Sequence, residues 1–206
     1  MLLLALTLTA AAFYYDYANQ QVQDTRPGPV SFLVNAPKAE VYGVEGEARW
    51  RLTPAVTINA SAGYLHATYK ELTLQNTRLD GNDLPFAPRF TAQGGGDLTL
   101  FKDGNNGLTV SPSVAYFSRQ YFSPFNDINA VGTGQQNSEL QQEGFAKVNL
   151  TAALTTGRFT IKAFATNLLN ARTYAYGLDL RGAGFPYNFL VPAAPRTFGG
   201  SVRVAF

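Results

Sequence analysis

An all-β fold, an antiparallel meander of about eight long strands, is predicted for this 206-residue chain by three observations. Apolar and polar residues alternate with a period of two over most of the chain, which gives a strand one oily and one wet face. The connections between the alternating segments are short and long in strict turn. No stretch approaches the roughly 20 apolar residues of a membrane helix.

The first segment, 2–17, alternates poorly and its register is held loosely. Its start, Met1 to Ala12, also resembles the apolar region and small-residue cleavage site of a signal peptide. No basic residue precedes the apolar run, which continues into the aromatic stretch Phe13 to Tyr17, so a strand is the preferred reading. Segment 39–52 is the clearest: Tyr42, Val44, Ala48, Trp50 and Leu52 share one face, and Glu45, Glu47, Arg49 and Arg51 the other. A helix would wrap those four charges around its circumference. In 55–69, Val56, Ile58, Ala60, Ala62 and Tyr64 oppose Thr57, Asn59, Ser61 and Gly63. In 89–101, Phe90, Ala92, Leu98 and Leu100 oppose Arg89, Thr91, Gln93, Asp97 and Thr99. In 108–121, Leu108, Val110, Val114 and Tyr116 oppose Thr109, Ser111, Ser113 and Arg119. Segment 145–155 sets Ala146, Val148, Leu150, Ala152 and Leu154 against Lys147, Asn149 and Thr151. Segment 158–169 sets Phe159, Ile161, Ala163 and Ala165 against Thr160 and Lys162, with Phe164 out of pattern. The last, 196–206, puts Phe198, Gly200, Val202, Val204 and Phe206 on one face, and Thr197, Ser201 and Arg203 on the other.

Three connections are tight: Thr53-Pro54, Lys102 to Gly107, and Thr155 to Gly157. Their Gly, Asn, Asp and Pro supply hairpin backbone angles. Four others, near 18–38, 70–88, 121–144 and 170–195, are long. That asymmetry fits a transmembrane barrel of the outer-membrane type, with tight periplasmic turns and extended extracellular loops. Strands of about 11–15 residues cover the length needed to cross a bilayer at a tilt. In lipid every backbone group must be paired, so such strands belong to a closed barrel whose polar face lines a wet lumen. The competing architecture, a soluble sandwich, would bury the apolar faces instead. The membrane reading places Phe206 on the periplasmic side of a Gram-negative outer membrane.

Composition agrees. Charged residues make up only 15%, yet mean hydropathy is −0.08, as alternating strands require. The 11 Tyr and 15 Phe suit interfacial girdles. A net charge of +2 without a basic run gives no argument for nucleic acid. With no cysteine, disulfide staples and thiolate metal sites are excluded.

No enzymatic constellation emerges. His66 is the only histidine, so neither a catalytic triad nor a metal cluster is expected; it reads as a lumen or interface residue near a strand end. Glu45, Glu47, Arg49 and Arg51 are expected as a ladder of lumen charges pairing with neighbouring strands, rather than as an acid–base pair. Gly94 to Gly96 read as a kink or close approach, since no helix follows to make a phosphate cradle. Trp50, beside a tight turn, reads as an interfacial anchor. Candidate ligand contacts lie in the long loops: Tyr121, Phe122, Phe125, Asn126 and Asp127, then Tyr174, Tyr176, Asp179, Arg181, Phe185 and Tyr187. Aromatics with an arginine, Arg181 foremost, suit an aromatic or anionic iron chelate. The alternative for these rings is girdle and loop packing.

Four stretches carry a resemblance to the C-terminal barrel portion of TonB-dependent outer-membrane receptors: Asn35 to Glu47, Gly81 to Arg89, Asn167 to Asn170 with Tyr174, and Pro195 to Phe206. Each is weak alone; their order and spacing across nearly the whole chain make the set strong. The resemblance implies that residues 1–206 are part of a 22-stranded barrel. It implies energised uptake of a scarce nutrient, often a ferric siderophore as transported ligand, and no bound cofactor. Its implied partners are outer-membrane lipid, the barrel-assembly machinery reading Phe206, and the TonB complex, reached through an N-terminal plug and TonB box. Plug, box and roughly fourteen strands are not expected within 1–206. A second reading is a self-sufficient eight-stranded barrel, structural or binding in role, in which 2–17 pairs with 196–206.

Overall fold

The computed structural model describes residues 5–26, 30–126, 140–180, 185 and 187–206. Among the described residues, fourteen strands follow in order. The first seven are β1 (Ala5–Arg26), β2 (Val30–Thr53), β3 (Val56–Glu71), β4 (Thr73–Leu74), β5 (Thr77–Arg78), β6 (Phe90–Asp103) and β7 (Asn106–Phe117). Then come β8 (Gln120–Tyr121), β9 (Gln141–Gln142), β10 (Phe145–Thr156), β11 (Phe159–Thr166), β12 (Tyr174–Leu178), β13 (Phe189–Pro192) and β14 (Thr197–Val204). Eight of them form one antiparallel sheet in the order β1-β2-β3-β6-β7-β10-β11-β14. The predicted meander of eight strands is therefore present. The sheet is open: β1 and β14 are its two edges and do not pair with each other, so the small closed barrel is not what forms.

Three two-residue turns join paired strand ends, Thr53 with Val56, Asp103 with Asn106, and Thr156 with Phe159. Gly104 and Gly157 hold the positive φ angles these hairpins need, 52° and 57°. This is the turn end of the sheet; the long connections share the opposite, loop end.

The register aligns the predicted apolar faces, apart from irregularities near the turn end that skip Leu52 and Leu100. Leu6, Trp50 and Ile58 are neighbours across β1, β2 and β3, and Gly94, Val114 and Val148 across β6, β7 and β10. Near the loop end Tyr14, Tyr42, Tyr64, Phe90 and Tyr116 continue this face, each between 38% and 61% exposed. An oily belt of that extent is unstable in water and matches hydrocarbon with an aromatic girdle. The polar face is concave, and Thr9, Glu47, Asn59, Gln93, Ser113 and Asn149 from six strands line one trough there.

Close contacts with glycine explain three local features, the out-of-pattern Phe164 among them. Phe164 is on the polar face, lying over Gly199 of β14 where a Cβ would collide with its ring. Phe13 lies over Gly43 of β2 in the same way, 2.7 Å from where a Cβ would stand. Gly96 passes so near the Thr57 carbonyl oxygen that no side chain fits, the close approach expected of the glycine run.

The long connections differ from expectation in one respect. The segment 18–38 is not a loop: β1 and β2 run on as a paired ribbon through Arg26 and Val30. The strand reading stopped at Tyr17 because the ribbon's inner face shifts there. Asn19 has a φ of 59° opposite Pro37, and beyond it the even-numbered Val22 and Asp24 become the buried residues. The other long connections carry the short hairpins β4–β5, β8–β9 and β12–β13. The wall strands also range more widely than expected, from 8 residues in β11 and β14 to 24 in β2.

The dry core sits in this headpiece and not in the wall. Val22, Ala36, Ala39, Tyr69, Leu72, Leu74, Leu79 and Phe125 form one buried cluster, with Val34 and Leu84 against it.

Candidate ligand cleft at the loop end

The headpiece is knitted by loop segments that would otherwise float. Asn126, at a φ of 54°, clamps segment 83 by two bonds: Asp83 N donates to its Oδ1 (2.8 Å), and its Nδ2 donates to the Asp83 carbonyl (2.9 Å). Asn82 Nδ2 donates to the Pro124 carbonyl at 2.9 Å, and Arg89 closes on Asp83 at 2.8 Å. Below, Asp80 accepts from the Leu72 amide (3.0 Å) and from Arg78 (2.6 Å). Those bonds, the amide first, hold the Asp80 carboxyl below the usual carboxylate range. Gln75 Nε2 donates to the buried Asp24 at 2.8 Å, tying β4–β5 to the ribbon.

Between these segments lies a cleft of about 260 Å³. One wall is the ribbon, Gln20 to Gln23; the other is made by Phe86, Phe122, Phe125 and Tyr176. Phe86 is held at a φ of 58°, a strained angle for a side chain without a local hydrogen bond, while its amide donates to the Tyr121 carbonyl at 2.9 Å. Its ring lies 5.4 Å from Phe122 and 6.0 Å from Tyr176, nearly parallel to the latter at 11°. Phe122 is seated on Gly177, where a Cβ would stand 2.7 Å from the ring. Two rings remain available, Phe86 at 46% and Tyr176 at 39% exposure. Facing them, the buried Gln20 Oε1 accepts no hydrogen bond within the described structure. The exposed side of the stacked pair offers a surface on which a further planar ring can stack.

Of the sequence-predicted contacts, Phe122, Phe125 and Tyr176 line this cleft, though Phe122 and Phe125 are 5% and 4% exposed and serve as its frame. Tyr121 supplies backbone beneath Phe86, and Tyr174 lies one strand position away, its amide donating to Gln142 Oε1 at 2.9 Å. Phe185 and Tyr187 pair with each other at 5.5 Å and stand outside the cleft. Asp179 lines it. Arg181 and Asp127 lie outside the described residues.

Glu45, Glu47, Arg49 and Arg51 share the concave face, but the expected cross-strand pairing is absent: among the described residues they make no ion pair. Their neighbours are Ala11, Thr9, Thr7 and Ala5 in β1 and Gly63, Ser61, Asn59 and Thr57 in β3, none of which carries charge. His66 faces outward and not into the lumen, stacked 4.5 Å from Tyr42 with Nε2 3.3 Å from the Thr68 hydroxyl. Trp50, 41% exposed, is on the outward face at the turn end, and Phe206 is fully exposed there. Sequence reading missed Phe86 and Gln20 to Gln23. Phe86 had a signal, since it follows Leu84-Pro85 in a stretch already singled out; the glutamines had none.

The family of TonB dependent receptor-like β-barrels matches residues 4–168. The chain belongs to it. Among curated relatives of this receptor barrel, the pesticin receptor of Yersinia pestis is 29% identical over 176 residues, covering 83% of this chain and 23% of that receptor. Among solved structures, the ferric yersiniabactin uptake receptor FyuA from Yersinia pestis superposes with a TM-score of 0.76 at 25% identity, over 98% of this chain and 28% of FyuA. BauA, the ferric preacinetobactin receptor of Acinetobacter baumannii, shares the fold with a TM-score of 0.67 at 19% identity, over 96% of this chain and 27% of BauA. The chain thus spans roughly a quarter of the relatives it matches.

Proposed function

We propose that residues 1–206 form the C-terminal part of the barrel wall of a ferric-siderophore receptor in a Gram-negative outer membrane. Its role is transport and not catalysis, with uptake energised through TonB by way of a plug domain. The turn end, with Phe206, faces the periplasm, where the terminal aromatic addresses the barrel-assembly machinery; Trp50 and the outward girdle meet lipid. The loop end faces outside, and its cleft contributes one stacking wall to the chelate site. The observation that carries this reading is the parallel Phe86–Tyr176 pair, half-exposed beside Gln20 at the loop end of a family wall. Names of relatives such as the ferric yersiniabactin receptor support an iron chelate as ligand.

The test replaces Tyr176 and Phe86 by alanine in the full receptor and measures binding of iron-55 chelates to cells. Each substitution is expected to weaken binding roughly ten-fold, about 1.4 kcal/mol, while Tyr176→Phe stays near the parent. Unchanged affinity for every chelate tested would overturn the reading.

A further inference from the structure

Between β3 and β6 the ladder is interrupted. Tyr64 and Thr68 of β3 are four residues apart, yet their partners, Phe90 and Asp83, are seven apart. On the near side of the break the Leu65 amide donates to the Arg89 carbonyl at 2.9 Å. On the far side pairing resumes: the Leu84 amide donates to the Ala67 carbonyl at 3.0 Å, and the Tyr69 amide to the Asn82 carbonyl at 3.0 Å. The three surplus residues are looped out within Pro85-Phe86-Ala87-Pro88, a bulge pinned to one strand at both ends. Bulges of this kind re-aim a side chain, and the ring carried here stacks with Tyr176 of β12, a strand of another sheet.

Every feature of the bulge restricts it. Its two prolines fix their own φ and hold the residues before them, Leu84 and Ala87, out of the helical region. Phe86 stands at a φ of 58°, an angle that a residue of this kind keeps only where its surroundings over-determine it. One constraint is the bond from its amide to the Tyr121 carbonyl, 2.9 Å, which ties the apex to β8. The other is Asp83, gripped from two sides. Asn126 bonds its amide and its carbonyl, at 2.8 and 2.9 Å. Arg89, the residue that follows the bulge, holds its carboxylate through Nη2 at 2.8 Å and Nε at 3.3 Å. None of Asp83, Arg89 and Asn126 lines the cleft. We infer that Pro85 to Pro88 form a preorganised arm, set before any ligand arrives, and that Asn126 and Arg89 are positioning residues acting on ligand affinity through Asp83 and the Phe86 ring. This rests on the stacking role proposed for Phe86. A ring already fixed in place spares the ligand the cost of ordering it, so affinity depends on groups that never touch the ligand.

The experiment uses the full receptor in lipid vesicles. Proline lacks an amide, so 85–88 carries only those of Phe86 and Ala87, and hydrogen exchange read by mass spectrometry reports on them directly. In the ligand-free parent the Phe86 amide is expected to exchange about a hundred-fold more slowly than an unstructured amide, and in Asn126→Gly about ten-fold faster than in the parent. Glycine tolerates the backbone angle of Asn126, so only the side-chain clamp is lost. Binding is measured with the iron-55 complexes of a tris-catecholate and of a salicylate-based chelator. Asn126→Gly is expected to weaken it about five-fold. In a Phe86→Ala background the same substitution is expected to change binding by less than about two-fold, because no ring is left to position. Should Asn126→Gly lower the amount of folded receptor, Arg89→Ala frees Asp83 from the other side and gives the same readout. A Phe86 amide protected only once chelate is added, unchanged affinity in both variants, or the same loss with and without the Phe86 ring would overturn the inference. Weakened binding in Phe86→Ala with none in the two positioning variants removes the arm and leaves the cleft standing. Full affinity in Phe86→Ala, or a parent that binds neither complex, removes both.

Discussion

The wall and the headpiece of this chain are built from similar residues by opposite rules. In the wall, leucines and valines such as Leu8, Val44 and Leu100 are more than half exposed, and the hydrogen-bonded ladder alone fixes where they sit. In the headpiece, Leu72, Leu74 and Leu79 are no more than 3% exposed, and burial against Val22, Ala36 and Phe125 fixes the loops that carry them. The first rule needs lipid outside and works with small, interchangeable apolar residues. The second needs a dry interior of defined shape. A ligand site at the loop end can therefore be rigid where the membrane offers no packing, because the headpiece carries a core of its own.

The sharpest way to break this contrast is a cavity in the headpiece. Leu79→Ala removes a fully buried side chain from the centre of the cluster and is expected to cost about 2–5 kcal/mol locally. Hydrogen exchange and proteolysis within 72–86 should rise, while the heat-modifiable gel shift of the folded barrel persists. Simultaneous loss of the gel shift would show that wall and headpiece are a single cooperative unit.

Next in size is a test of facing in the wall. Ala60 faces outward and Ser61 inward, one residue apart in β3. Ala60→Arg places a charge at mid-wall in hydrocarbon and is expected to destabilise by about 2–4 kcal/mol. Ser61→Arg, in the wet trough, should stay within about 0.5 kcal/mol. Urea unfolding in lipid vesicles measures both. Equal costs would mean that the two faces are not lipid and lumen.

These two regions were also unequally legible in the sequence. Wall strands showed themselves because every second residue of β2, Glu45 to Arg51, is charged, and because Gly and Asn occupy the tight turns. Phe164 is out of pattern until Gly199 is seen beneath it, as Gly43 is beneath Phe13; a glycine in the paired strand, thirty or more residues away in sequence, leaves no local trace. The ribbon beyond Tyr17 was unreadable for a different reason. There the inward positions include the polar Gln20 and Asp24 as well as Val22, so no apolar–polar alternation shows, and the left-handed turn at Asn19 exchanges the faces. The cleft shares that fate, since its residues come from at least five separate segments joined only by the fold. Of its rings the sequence marked Phe122, Phe125 and Tyr176 by composition alone, and left Phe86 unmarked.

The smallest expected effect is one of acidity, and it also separates the two regions. Asp80 is held by the Leu72 amide and by Arg78, so its native pKa is lowered relative to the unfolded loop. A lowered carboxyl stabilises the folded loop at pH values above its unfolded pKa of about 4, and this contribution is lost as pH falls through the native value. Exchange of the Leu72 amide should therefore be slow at pH 7 relative to its intrinsic rate, and lose protection on acidification below about pH 4. In Asp80→Asn protection should be weaker at neutral pH and show little of that acid dependence. Wall amides such as those of β7 and β10 face one another without a carboxylate between them and should keep their protection across the same range. If they too lost protection in step with Leu72, the headpiece would not be titrating on its own.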